Sequence, residues 1–157
     1  MSVDVTVEQA IARPPDAVAA FAMDPANDHR WIGALSDVRV LTDGPVGPGT
    51  RVERVASFLG KRIEYVNEIV EYHPPERLAM RSVRAPFPMT VTYEFAPDDG
   101  GTLARIRTEG DARGFYALAG PLLAAAVRRG VARDLATLKR LLEPVDSGND
   151  FVDDGTR

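Results

Sequence analysis

The chain has 157 residues, with 19 basic against 23 acidic side chains and a formal net charge of −4. A chain of this length suits one domain, able to bury ~70% of the surface its unfolded form exposes without help from a disulfide or a metal. Cysteine is absent and histidine occurs twice, which excludes disulfide scaffolds, zinc knuckles, iron–sulfur centres and thiol nucleophiles and argues against a histidine-rich metal centre.

Residues 3–12 alternate: Val3, Val5, Val7, Gln9 and Ile11 share one face, while Asp4, Thr6 and Glu8 share the other. That spacing predicts a strand with one wet face. Arg13-Pro14-Pro15-Asp16 ends it and opens a helix, since proline suits the first helical turn and Asp16 its positive end. Asp24-Pro25 opens a second, shorter helix that runs to Trp31. Val38 and Val40 mark another strand, and the proline- and glycine-rich residues 42–49 form a loop. Strands follow over 50–58 and 61–72, hinged at Leu59-Gly60, then over 77–84, 89–96 and 102–109, with a strong turn at Asp98-Asp99-Gly100-Gly101. Short connections make this set an antiparallel meander.

The last predicted element is a long helix from Phe115 to Glu143, interrupted by Pro121, which should kink it or start a new turn. One stripe of it, Ala117, Gly120, Ala124, Val127, Val131, Leu135, Leu138 and Leu142, is apolar, small in its first half and large in its second. By periodicity that stripe reads first as packed core, since apolar helix stripes usually are, and only second as the lining of a space the sheet leaves unfilled. The opposite face carries Phe115, Leu118 and Leu122 near the start, a candidate homodimer seam, and Arg129, Arg133 and Arg140 further on, a solvated face. Residues 144–157 hold four aspartates and one arginine, so three of the four net negative charges fall in a predicted disordered tail, and residues 1–143 form the domain.

The longest weakly polar run, Phe115 to Val127, falls short of the ~20 residues that cross a membrane. The N-terminus lacks a basic start followed by an apolar run. Acidic net charge and the lack of an aromatic stacking platform argue against nucleic acid as a partner. The expectation is a cytoplasmic protein.

The order of elements, with five local motifs, resembles the START-like helix-grip (SRPBCC) superfamily, and within it the bacterial polyketide cyclase/dehydrase-like and lipid-transport-like domains. The motifs are Ile11-Ala12-Arg13-Pro14-Pro15-Asp16-Ala17-Val18, Asp24-Pro25 followed by Trp31, Glu71-Tyr72-His73-Pro74-Pro75-Glu76-Arg77-Leu78, Gly101-Thr102, and Leu138-Lys139-Arg140-Leu141-Leu142-Glu143. The resemblance implies an α+β helix-grip fold: a curved antiparallel sheet of about seven strands around a long C-terminal helix, with two short helices after the first strand. It also implies a cavity between sheet and helix for a hydrophobic, lipid- or polyketide-like molecule, and favours Ala117, Gly120 and Ala124 as its lining.

Strand alternation supplies further candidates for ligand contact. The inward polar groups are Gln9, Arg54, Tyr65, Asn67, Ser82, Tyr93 and Thr108, set in an apolar wall that includes Phe58 and Met80. Those polar groups either meet a ligand or satisfy one another. Arg54 needs a partner and is an anion-binding candidate. Trp31 packs over the helix pair, near enough to the cavity mouth to touch ligand. His29 and His73 have no donors at ligand spacing and read as surface residues. No cofactor or metal is expected. A cofactor-free cyclase or dehydratase is the alternative function. With no inward histidine or carboxylate foreseen, its chemistry would rest on Arg54, Tyr65 and Tyr93. A ligand-free interaction module using Phe115, Leu118 and Leu122 is the third reading.

Overall fold

The alternation along the first residues becomes strand β1, Val3–Ile11, in which Val3, Val5 and Ile11 are buried and their neighbours face water. The computed structural model describes residues 3–112, 115–116 and 120–143. Helix α1 spans Pro15–Ala22, with proline at its start and Asp16 in its first turn. A 3₁₀ turn over Pro25–Asn27 follows, capped by Asp24, whose carboxylate accepts from the Ala26 N–H at 3.0 Å. It runs into the short helix α2, Asp28–Trp31. Strands β2 (Leu35–Val40), β3 (Arg51–Phe58), β4 (Lys61–His73), β5 (Arg77–Arg84), β6 (Met89–Asp98) and β7 (Gly101–Gly110) lead to the C-terminal helix α3, Gly120–Leu142.

The strands form one sheet in the order β1-β7-β6-β5-β4-β3-β2, and every neighbouring pair is antiparallel. Six strands are thus a meander, and β1 returns to pair with the last of them. Register shifts in the β4–β5 pair, between Val66 and Asn67 and between Ile69 and Glu71, help to curl the sheet. At 1.5 Å per residue α3 is roughly 35 Å long, and it lies in the curl against β1. This is the helix-grip architecture expected from the sequence.

The convex face of the sheet carries an ion-pair grid. Arg107 joins Asp4 (2.7 Å) and Glu109 (3.3 Å), Arg105 joins Glu8 (2.7 Å) and Glu94 (3.5 Å), and Arg77 joins Glu94 (2.5 Å) and Glu71 (2.7 Å). Each pair is open to solvent, so water and salt screen it and it adds little to stability. The concave face holds the apolar core in two clusters. One gathers Val18, Trp31, Ile69, Leu78, Phe95, Leu135 and Leu138; the other gathers Val3, Val5, Ile63, Ala112, Tyr116 and Leu123.

The start of the last helix departs from the expectation. Phe115 and Tyr116 lie in a turn, and α3 is described from Gly120, with Pro121 as its second described residue. The turn is held by Lys61, whose ammonium donates to the Phe115 carbonyl at 2.6 Å and stands 4.5 Å from the Phe115 ring centre. Ala117, Leu118 and the tail 144–157 lie outside the described residues. Phe115 packs on Phe87 and Tyr116, with ring centres 5.5 and 4.9 Å away, whereas Leu122 is 61% exposed.

Candidate functional site

A cavity of about 250 Å³ separates the concave sheet from α3 and borders both core clusters. Its apolar end is built by the β3–β4 hairpin and the turn before α3. Phe58 meets Tyr116 edge-on with ring centres 5.6 Å apart, and the Tyr116 hydroxyl donates to the Phe58 carbonyl at 3.0 Å. Phe87, Ile63 and Leu123 complete that end.

The polar wall is built on inward positions of β3, β4 and β6 and on α2. Arg54 is 4% exposed. Its Nε donates to Asp28 Oδ2 at 2.8 Å, and its Nη2 lies 2.7 Å from the same oxygen. Burial pushes the Asp28 carboxyl above its ordinary value, while the Arg54 charge and hydrogen bond pull it back. The contact geometry is that of a buried ion pair. Tyr65 lies opposite Arg54 in the β3–β4 register, and Asn67 lies opposite Val52. Trp31 follows Asp28 by one helical turn and meets Tyr93 edge-on at 5.7 Å. Burial raises the hydroxyls of Tyr65 and Tyr93, so both stay protonated at neutral pH. Three buried polar atoms of this wall have no hydrogen-bond partner: Arg54 Nη1, Trp31 Nε1 and Asn67 Oδ1. Each such group costs ~1–3 kcal/mol when left unsatisfied.

Helix α3 contributes Leu123, Val127, Gly130, Val131 and Asp134 to the lining. Asp134 Oδ1 accepts from the Gly33 N–H at 3.0 Å, which ties the helix to the segment after α2. Burial pushes the Asp134 carboxyl up to about 6, against the pull of the Gly33 N–H and the Arg133 charge.

Of the candidates named from the sequence, Trp31, Arg54, Phe58, Tyr65, Asn67, Met80, Tyr93 and Thr108 line the cavity together. Gln9, Ser82, Gly120 and Ala124 do not. The Gln9 amide donates to the Ala10 carbonyl at 3.0 Å, and the Ser82 hydroxyl accepts from the Met89 N–H at 3.0 Å, where β5 hands over to β6. Ala124 packs against the second core cluster, and Ala117 lies outside the described residues. His29 and His73 are exposed. The expectation of no inward carboxylate is corrected by Asp134 in the lining and Asp28 behind Arg54.

Asp134 carried a signal that sequence reasoning missed. It lies four residues after Gly130, seven after Val127 and eleven after Leu123, so it completes an otherwise small or apolar stripe. The stripe drawn through Ala124, Val131 and Leu135 is rotated from it by part of a turn. Asp28 had no comparable signal, since only the tertiary fold brings it to Arg54.

Among the described residues no cluster of three or more histidine or acidic side chains could hold a metal, and no helix is long and apolar enough to cross a membrane. A family model described as polyketide cyclase / dehydrase and lipid transport matches residues 2–143. The chain belongs to that family. No curated protein sequence matches it. Solved structures share its fold. A Thermus thermophilus protein, 21% identical, superposes with a TM-score of 0.75 over 88% of this chain and 96% of its own. The Zhui aromatase/cyclase from a Streptomyces species, 18% identical, gives 0.74 over 90% and 94%. A START superfamily protein from Mycobacterium smegmatis, 14% identical, gives 0.73 over 90% and 96%. At these identities the likeness concerns the fold, and the family's chemistry has to be argued from this chain's own cavity.

Proposed function

We propose that this protein binds a largely apolar small molecule, lipid- or polyketide-like, between the concave sheet and α3. The observation that carries this reading is the cavity itself. A native core of this size ordinarily closes such a space, and here about 250 Å³ stays open beside buried polar atoms that lack partners. An apolar cavity of ~150 Å³ already accepts benzene, so this one suits a body of about two fused rings or an equivalent chain.

Native mass spectrometry of the full chain purified from its own host tests the proposal, together with titration by the neutral dye Nile red. Trp31 is the sole tryptophan and lines the cavity, so its fluorescence reports occupancy. The expected result is a small-molecule adduct lost on denaturation, or saturable quenching of Trp31 by the dye. A chain with neither would refute the reading.

A second reading, a cofactor-free cyclase, is favoured by Asp134. A carboxylate with a value near 6, in one cavity with the protonated hydroxyls of Tyr65 and Tyr93, is suited to take a proton from a carbon beside a carbonyl. The two tyrosines would then donate hydrogen bonds to the enolate oxygen. Asp134→Asn keeps the Gly33 contact and removes the base, so it should abolish turnover of an identified substrate while sparing its binding.

A further inference from the structure

Asp134 places a carboxylate in the cavity that no cation answers. It lines the space from α3, half-buried, and among the described residues it joins no ion pair. Its Oδ1 accepts from the Gly33 N–H, which fixes the carboxylate and leaves Oδ2 without a partner. Arg133 is the cation that pulls on it, and Arg133 is exposed, so water and salt screen that pull. Arg54, the cation in the lining, is held by Asp28 through contacts of 2.7 and 2.8 Å to one carboxylate oxygen and has no part in the Asp134 balance. The third charged lining residue among those described, Glu109, stands 3.3 Å from Arg107. The unanswered charge of the described lining is therefore negative.

The groups around it are acceptors as well. The hydroxyls of Tyr65 and Tyr93 line the same space, and both feel the Asp134 charge. Arg54 Nη1, Trp31 Nε1 and Asn67 Oδ1 are sealed within the wall, whereas these two hydroxyls and Asp134 Oδ2 are not. An ammonium carries three N–H donors and no acceptor. A carboxylate oxygen and two phenol oxygens are a matching set. A carboxylate or phosphate head would face Asp134 and find Arg54 already taken. Burial penalises a lone carboxylate, and a cation beside it replaces that cost with a charge-assisted hydrogen bond.

Resting on the binding reading above, we infer that the cavity takes an amphiphilic amine, its apolar body against the aromatic end and its protonated nitrogen on the Asp134 carboxylate. Gly33 positions that carboxylate through its N–H, and Tyr65 and Tyr93 supply the remaining acceptors. Arg54, an anion-binding candidate by sequence, is occupied by Asp28 and serves as wall.

Three probes of one ring system test this at pH 8: 1-naphthylmethylamine, 1-naphthalenemethanol and 1-naphthoate. Each is titrated by calorimetry and by displacement of Nile red, whose own binding reports an open cavity. The amine should bind at least tenfold more tightly than the alcohol, and naphthoate more weakly than both. Asp134→Asn keeps the shape and removes the charge. It should bring the amine down to the level of the alcohol while the alcohol and Nile red bind as before. In the wild type the amine's advantage over the alcohol should fade between pH 7 and pH 5, as Asp134 takes up a proton and the amine keeps its own. Should the variant fail to fold, that pH series decides, and an advantage unchanged down to pH 5 would overturn the inference. An amine bound no better than the alcohol, or an advantage that survives Asp134→Asn, would overturn it too. Nile red binding with no naphthalene probe bound would overturn it and leave the cavity reading in place. Failure of Nile red and all three probes would remove both.

Discussion

Gly130 offers a direct measure of what the cavity costs. It sits in the interior of α3, where glycine is ~1 kcal/mol less favourable than alanine because its backbone loses more freedom on folding. Packing does not require it: a Cβ placed there meets no atom within 4 Å, and its φ is not in the left-handed region. Gly130 does line the cavity. The residue thus trades helix stability for open space. Gly130→Ala should raise unfolding free energy by about 1 kcal/mol and the melting midpoint by ~2–4 °C for a domain of this size. Gly130→Phe has room to place its ring in the cavity and should abolish Nile red binding while leaving the fold intact. Urea unfolding and calorimetry read the first effect, and Trp31 quenching reads the second. An alanine variant no more stable than wild type, or a phenylalanine variant that binds the dye as before, would refute this account of the helix.

The other expectations are as direct. Removing Asp28 or Arg54 alone strands a buried charge and should cost ~3–5 kcal/mol, whereas Asp28→Leu with Arg54→Met should cost much less than the two single losses added together, as urea melts would show. Asp134 has a folded value of about 6 against 3.8 for an ordinary carboxyl, so through that window the folded state holds a proton the unfolded chain has released, and stability contributed by this group falls as pH rises. Asp134→Asn should therefore match wild type below about pH 4 and exceed it by roughly 1–2 kcal/mol above about pH 7, after allowance for partial solvation; a difference independent of pH would count against it. Gly101→Ala should cost ~1–3 kcal/mol in a urea melt, because a Cβ there would stand 2.5 Å from the Ile11 carbonyl oxygen.

The Gly101 clash also shows what the sequence conveyed and what it hid. Gly101-Thr102 was legible as a family motif, and its cause is local. Glycine lets β7 approach the end of β1, and the Thr102 hydroxyl donates to the Arg13 carbonyl at 2.7 Å. Period-two alternation located the inward wall of β3, β4 and β6 because one face of each strand is buried and a slip of one residue would reverse it. Gln9 and Ser82 obeyed the same alternation yet do not line the cavity. The pattern reports which face a side chain leaves by, whereas the place of the void along the strand depends on α3. The helix was harder for the same reason. Its apolar stripe is wide, and the part facing the void, through Leu123, Gly130 and Asp134, is angularly close to the part packed through Leu135 and Leu138. The Arg54–Asp28 pair spans 26 residues and two unconnected elements, so only the folded chain brings it together.

The first and last described elements are neighbours in space. Ala12 N–H donates to the Glu143 carboxylate at 2.8 Å, Arg13 Nη1 to the Leu142 carbonyl at 3.0 Å, and Arg128 Nη1 to the Thr6 carbonyl at 3.1 Å. During synthesis β1 therefore waits for β7, and the concave apolar wall waits longer still, until α3 leaves the ribosome. Such late closure slows folding and leaves sticky surface uncovered in the nascent chain. The same molecule that would shelter in the finished cavity could shorten that exposure, coupling the yield of folded protein to the supply of its ligand.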